Sequence, residues 1–194
     1  MKNNRIKSFL PLIPRKAVVD TGFLAESFII NYFEKVNKND YIAKEAEKIF
    51  KKGNNYKQKY IRFLNSIAVF ITTANVITEA NGILKSHYDI QGKSLQELWK
   101  SSIPFLIQKQ LDENLLKIIE LSQNQDYKEI FYEINFIDVG LIELAKRNNL
   151  KFVTKDKRTL SNKADNQAVE VIVLQDFFDS WEFEVKDKEK EILK

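Results

Sequence analysis

The sequence contains no cysteine and only one histidine, His87. Without cysteine the chain can form neither a disulfide nor a thiolate metal site, and it lacks the nucleophile of a thiol hydrolase. A ribonuclease that uses two histidines as acid and base is also excluded, because only one imidazole is present. We interpret His87 as a surface residue at a helix end. Any catalysis would then depend on carboxylates, hydroxyls or amines.

Long apolar runs are also missing, and no segment reaches the ~18 apolar residues of a membrane span. Near the start of the chain, Lys2, Arg5 and Lys7 precede only a short apolar segment, which Pro11 interrupts. That pattern differs from a secretory signal, which needs a continuous apolar stretch. We therefore expect a cytoplasmic protein that does not associate with a membrane.

Glycine and proline are scarce, with five glycines and three prolines in 194 residues. No glycine-rich phosphate loop is present, which argues against a nucleotide-binding protein. The 31 Lys and Arg exceed the 27 Asp and Glu, so the net charge is +4 and the pI is near 9.0. Such a balance permits a nucleic-acid partner without demonstrating one. The length predicts one domain over residues 1–194, with a proline-punctuated lead at 1–15 and a charged tail at 186–194.

Short apolar segments alternate with segments of helical periodicity along the chain. The short apolar segments predict strands at residues 17–19, 68–71, 150–154 and 169–174. Residues 115–121 fit either a strand or a helix, and we favour the strand because a polar segment follows them. The segments of helical periodicity predict helices at residues 23–36, 40–52, 56–65, 74–86, 94–111 and 136–146. A further helical pattern begins at residue 127. Pro104 should bend or interrupt one of these helices. The alternation predicts an α/β fold with a parallel sheet covered on both faces.

Four carboxylates stand at comparable places in this pattern. Asp20 and Asp156 each follow a predicted strand, whereas Glu79 and Asp138 lie in the first turns of predicted helices. A single Asp after a strand is most often a turn or cap residue, so the inference depends on all four. In a doubly wound sheet they can converge at the edge formed by the carboxyl ends of the strands. A divalent cation would relieve their mutual repulsion, and all-oxygen ligation favours Mg²⁺ or Mn²⁺ over zinc.

In their order, these motifs resemble those of the PIN-domain nucleases. The resemblance is carried by residues 18–24, residues 73–79, the Asp138 helix and residues 152–156, and it spans about residues 16–180. It implies a three-layer α/β/α sandwich with a central parallel sheet. The chain departs from the family in length, because the spacing between Asp20, Glu79 and Asp138 exceeds what a minimal member needs, so we interpret helices near 40–65 and 94–111 as insertions. It assigns the metal site and the catalytic role to Asp20, Glu79, Asp138 and Asp156. It also places supporting hydroxyls at Thr21 and Thr154.

The activity implied by the resemblance is that of a Mg²⁺- or Mn²⁺-dependent endoribonuclease that hydrolyses RNA phosphodiester bonds. RNA is the expected substrate, with DNA as the alternative. Small members of the family commonly act as toxins, so we also expect an antitoxin or other partner protein, or a phage-defence role, and a homodimer. A haloacid-dehalogenase-like phosphatase also begins with a strand and an Asp. It needs a second Asp two residues later, where this chain has Gly22.

Basic residues surround the last of the four acids. We interpret Lys155, Lys157 and Arg158 as substrate-binding residues, although a basic loop that only offsets nearby acids is the alternative. A second cluster, formed by Lys57, Lys59 and Arg62, is interpreted as a solvated helix face. The aromatic residues Trp99 and Trp181 are interpreted as core or interface residues.

A second class of function stays open beside the nuclease. The chain could be a binding or scaffold module that retains the fold without turnover. Four mutually repelling carboxylates argue against this alternative, because an inactive site has no physical reason to keep them together.

Overall fold

The computed structural model describes residues 13–36, 40–53, 55–109, 112–114, 136–156 and 167–181. Five strands form one sheet in the order β3-β2-β1-β4-β5, and every neighbouring pair is parallel. The strands are β1 (Lys16–Val19), β2 (Val69–Thr73), β3 (Asp112–Asn114), β4 (Lys151–Thr154) and β5 (Val171–Val173).

Helices cover the sheet on both sides, which makes a three-layer α/β/α sandwich and confirms the predicted fold class. The helices within the described ranges are α1 (Thr21–Val36), α2 (Tyr41–Phe50), α3 (Tyr56–Ser66), α4 (Ala74–Ser86), α5 (Gly92–Gln108), α6 (Phe136–Asn148) and α7 (174–181). Helix α1 packs against α2, α4 and α5, whereas α6 packs against β1, β2 and β4. Among these residues no helix combines the length and the apolar content that a membrane crossing requires.

The central strand β1 is buried on both faces. Its residues Ala17, Val18 and Val19 have no exposed surface, although successive side chains of a strand point to opposite faces. Burying each valine stabilises the fold by about 1.5–3 kcal/mol. A strand buried on both faces is typical of a parallel sheet between two helical layers.

Aromatic side chains join α1 to its neighbours. Phe23 of α1 is stacked against Tyr60, with 6.0 Å between ring centroids, and meets Phe70 edge-on at 5.6 Å. These contacts tie α1 to α3 and β2. They fix the first turn of α1, which directly follows Asp20.

Local signals account for several element ends. Asp40 caps α2, since its side chain accepts a hydrogen bond from the backbone N–H of Ala43 at 3.0 Å. After α6 the chain turns at Asn149, which has a φ of 50°, as the Asn148-Asn149 pair predicted. Helix α4 covers residues 74–86 as predicted.

Some elements differ from the predictions. Helix α5 continues through Pro104, whose ring is exposed and lies near the helix end. Strand β3 occupies the polar residues Asp112–Asn114, which carried no strand signal, and pairs with the end of β2. Strand β5 is shorter than the predicted 169–174, because a turn at residues 167–168 precedes it and α7 begins at Leu174. The predicted strand at 115–121, the helix from 127 and the tail at 186–194 lie outside the described residues.

Candidate acidic site

Asp20 lies at the carboxyl end of β1, where the strand gives way to α1. Its backbone N–H donates to the carbonyl of Val153 at 3.2 Å, which extends the β1–β4 ladder by one bond. Its Oδ1 accepts from the backbone N–H of Phe23 at 2.7 Å, so the side chain caps α1. Capping of α1 therefore engages Oδ1, which is one of the two carboxylate oxygens of Asp20.

The other oxygen of Asp20 faces the end of the adjacent strand. Oδ2 accepts from the Thr154 hydroxyl at 2.6 Å and from the backbone N–H of Lys155 at 3.2 Å. Burial raises the pKa of Asp20, and these hydrogen bonds oppose the rise because they favour the charged form. Asp20 is thus held by donors from α1, from the last residue of β4 and from the residue that follows it.

Thr154 also orients the acid that follows it. The backbone N–H of Asp156 donates to Thr154 Oγ1 at 2.9 Å, while the Asp156 side chain is exposed. One buried hydroxyl therefore connects two of the four acids, which is the kind of supporting contact expected of Thr154.

Glu79 is joined to the same region through Thr21. Helix α4 follows β2, and its Glu79 Oε2 accepts from the Thr21 hydroxyl at 2.5 Å. Thr21 is the residue directly after Asp20, so this contact brings Glu79 of α4 to the start of α1.

Asp138 lies in the first turn of α6 and is influenced by the other three acids. Burial raises its pKa to about 7, and the negative charges of Glu79, Asp20 and Asp156 contribute further to the rise. The charges of the other three carboxylates therefore act on Asp138 electrostatically, in the direction expected of like charges.

The donor set suits a hard divalent cation, since all four groups are carboxylates and their repulsion favours a positive charge among them. Yet no three Asp, Glu or His side chains in the part of the chain that the structure describes are arranged to hold a metal ion. The four acids are therefore close enough to repel one another but do not form a closed coordination shell. Their assignment as metal ligands stays a prediction.

The Lys155 side chain turns inward, away from the position expected of a substrate-binding residue. Its ammonium lies 2.5 Å from Oε1 of Glu26 on α1, and Glu26 has no exposed surface. The ammonium is also 3.4 Å from the Tyr88 hydroxyl. This geometry does not support substrate contact by Lys155. Lys157 and Arg158 lie outside the described residues.

Sequence reasoning missed Glu26. The available signal was its position, because Glu26 is the first charged residue after Asp20 and lies in a helix that is buried along most of its length. A lone acid in such a place must find a cation inside the protein. The sequence does not indicate which lysine supplies it.

The second basic cluster is largely engaged in packing. Lys57 pairs with Glu34 at 3.3 Å and lies over the Phe33 ring at 4.5 Å. Lys59 is buried and donates to the carbonyl of Phe178 at 2.8 Å. Of the three residues only Arg62 is exposed, and it lines a groove with Trp181.

The remaining predicted residues lie where the sequence placed them. His87 is exposed at the end of α4. Trp99 packs against Phe28 at 5.2 Å, and Trp181 packs against Phe177 at 6.0 Å, so both tryptophans belong to the edge of the core.

No family model, curated protein or solved structure matches the chain. The resemblance to PIN-domain nucleases therefore rests on the four motifs alone and stays an interpretation.

Proposed function

We propose that the protein is a cytoplasmic, divalent-metal-dependent endoribonuclease of the PIN-like type. The acidic site, defined as Asp20, Glu79, Asp138 and Asp156, would hold Mg²⁺ or Mn²⁺. The expected homodimer and the antitoxin or phage-defence partner belong to the same proposal.

The observation that carries the proposal is the environment of Asp138. This carboxylate is on a helix that packs across the centre of the sheet, and its pKa rises to about 7 through burial and through the three other acids. Perturbed carboxylates gathered at the carboxyl edge of a parallel sheet are typical of functional sites. A purely structural cluster of like charges would lower stability without compensation.

The individual residues can be given roles in this proposal. When bound, the metal would activate a water and stabilise charge on the phosphodiester. Asp20 is fixed on both oxygens and would supply a rigid ligand, whereas the exposed Asp156 would face solvent and substrate. Thr21 would orient Glu79, and Thr154 would orient Asp20 and the Asp156 backbone.

The test is a cleavage assay on labelled single-stranded RNA with Mg²⁺, Mn²⁺ or EDTA, run in parallel on single-stranded DNA. Wild type should cleave RNA with either metal and should be inactive in EDTA. Glu79→Gln and Asp156→Asn should abolish cleavage, since each removes a charged ligand while keeping the side-chain volume. Glu47→Gln on the exposed face of α2 is the matched control and should cleave as wild type does.

The alternative, an inactive binding or scaffold module, makes a different prediction in the same assay. It is favoured by the absence of a closed ligand group among the described acids. Under this alternative, wild type binds RNA but does not cleave it with either metal. Metal-independent cleavage that survives in Glu79→Gln would contradict both functions.

A further inference from the structure

A buried charged network lies beside the acidic site. Glu26 is fully buried, and its Oε1 lies 2.5 Å from Lys155 Nζ and 2.8 Å from Lys52 Nζ. The Tyr88 hydroxyl donates to the same oxygen at 3.0 Å. Burial alone would raise the pKa of Glu26, but the two ammonium groups outweigh burial and lower the pKa. Glu26 is therefore a buried anion that holds two cations.

Lys155 connects this network to the acidic site. Its side chain ends on Glu26, whereas its backbone N–H donates to Asp20 Oδ2 and the next residue is Asp156. The lysine stem passes α1 at Gly22, where an added Cβ would lie 3.6 Å from Lys155 Cδ. The Lys155 backbone therefore lies next to Asp20 and Asp156, whereas its side chain extends along α1 to the buried carboxylate of Glu26.

The direction of the Lys155 side chain determines which carboxylate its positive charge neutralises. A lysine ammonium is a compact cation on a flexible stem, and the Lys155 charge acts on Asp20, whose pKa it lowers against the larger effect of burial. With Glu26 in place, the ammonium forms its ion pair with a buried carboxylate, and it acts on Asp20 only as the smallest of the causes that lower the pKa of that residue. Without that partner, it could pair with Asp20 and Asp156 and occupy the position where a metal cation would bind.

We propose that Glu26 is a positioning residue that holds the Lys155 ammonium out of the acidic site and so keeps that site available to a divalent cation. The inference rests on the proposed function, because it assumes that the four acids take up a metal. It gives Glu26 and Lys155 a role in metal binding that requires neither side chain to contact the metal or the substrate.

The first measurement is Mn²⁺ binding by isothermal titration calorimetry at a fixed pH. Glu26→Gln keeps the side-chain shape but removes the charge, and we expect it to weaken Mn²⁺ binding about 10- to 100-fold, the usual effect of losing a residue that supports metal ligands. The double variant Glu26→Gln/Lys155→Met should recover most of the loss, since the released cation is gone. Glu45→Gln is the control, because Glu45 is also nearly buried and pairs with Lys48, but on α2. It should bind Mn²⁺ as wild type does.

The second measurement does not depend on metal. Amide hydrogen exchange followed by NMR reports the Lys155 N–H, which donates to Asp20. Glu26→Gln should speed exchange at this amide, whereas Glu45→Gln should leave it unchanged. A purely structural role of Glu26 would speed exchange broadly and would not be rescued by Lys155→Met.

Several outcomes overturn the inference. Equal Mn²⁺ affinity in Glu26→Gln and Glu45→Gln would do so, as would a double variant that binds no better than Glu26→Gln. If Glu26→Gln does not fold, Lys155→Met alone decides: unchanged Mn²⁺ affinity supports the inference, and clearly tighter binding contradicts it. If wild type binds no Mn²⁺, the proposed function fails and the inference fails with it, while the exchange data report separately whether Glu26 fixes the Lys155 segment.

Discussion

The Thr154 hydroxyl lies 2.6 Å from Asp20 Oδ2, and the two residues are 134 positions apart in the chain. Parallel pairing of β1 with β4 brings them together. Val19 is opposite Val153 in the sheet, and Asp20 and Thr154 are the residues that directly follow these two valines. The contact makes the position of the Asp20 carboxylate depend on the end of a neighbouring strand.

Replacing Thr154 with valine tests this contact. The shapes of the two side chains are similar, but valine can neither donate to Asp20 nor accept from the Asp156 N–H. We expect the free energy of unfolding to fall by about 1–3 kcal/mol, the cost of leaving buried polar groups unsatisfied. RNA cleavage should fall as well. Urea denaturation and the cleavage assay measure the two effects.

Thr154→Ser is the matched control for that substitution, since serine retains the hydroxyl. It should preserve cleavage better than valine does. Equal activity in Thr154→Val and Thr154→Ser would show that the hydroxyl does not position Asp20 for function.

Asp138 predicts an unusual pH dependence of stability in the metal-free protein. Its pKa is near 7 in the folded state and 3.8 ordinarily, so between these values the folded state binds the extra proton. The stability that this group contributes is therefore lost as the pH rises through about 7. The total decrease in the free energy of unfolding is about 4 kcal/mol at most. Asp138→Asn removes the effect, and its stability relative to wild type should increase from pH 5 to pH 8.

Urea denaturation in EDTA at the two pH values measures this difference, and Asp138→Asn should also lose cleavage. A variant that is less stable than wild type by the same amount at both pH values would contradict the assigned environment of Asp138.

The basic residues after Asp156 predict how RNA binding depends on salt. Since the Lys155 ammonium pairs with Glu26, we expect substrate contacts from Lys157 and Arg158 only. Alanine at either position should weaken RNA binding similarly for all sequences and flatten the salt dependence by about one unit per lost phosphate contact. Fluorescence anisotropy at several salt concentrations measures the slope.

Lys48→Ala, on the exposed face of α2, controls for the loss of one positive charge. If neither Lys157→Ala nor Arg158→Ala changes the slope while Arg62→Ala does, the substrate path lies along the groove formed by α3 and Trp181 instead.

Lys109 predicts a structural effect far from the acidic site. It is buried at the end of α5, and its ammonium donates to the carbonyls of Leu64 and Ile67, where α3 ends. Lys109→Met would leave both carbonyls without this donor, so we expect the free energy of unfolding to fall by about 1–3 kcal/mol. RNA cleavage should be unchanged where the variant is folded. Lys85→Met on the exposed face of α4 is the control.

The pH dependence gives a second measurement for Lys109. Burial lowers its pKa to about 8 from 10.5, so between these values the unfolded state binds the extra proton. The free energy of unfolding of wild type therefore increases with pH in this window, relative to that of Lys109→Met. A constant difference across the window would contradict the burial of the charge.

The elements that sequence reasoning identified are those whose signals are local. Apolar β-branched residues predicted β1, helical periodicity predicted α4, and the Asn148-Asn149 pair predicted the turn after α6. Strand β3 has no such signal, because polar residues at a sheet edge become a strand only when β2 offers its backbone.

For the candidate site, the sequence indicated which acids follow strands and begin helices, but not the direction of individual side chains. Lys155 is the clearest case. Its place beside Asp156 was evident, yet its ammonium turns to Glu26, because a buried carboxylate without a cation would destabilise the fold strongly. That choice depends on three segments meeting in space, which no local pattern encodes.

The strand order has a consequence for the protein during its synthesis. Strand β1, the first in the described part of the chain, becomes the centre of the sheet, and its β4 partner appears only after residue 150. Until then Asp20 lacks its Thr154 and Lys155 donors, and Glu26 lacks one of its cations. A nascent chain can therefore build the β1–β2 half early, but the acidic site comes together only when most of the chain has been translated.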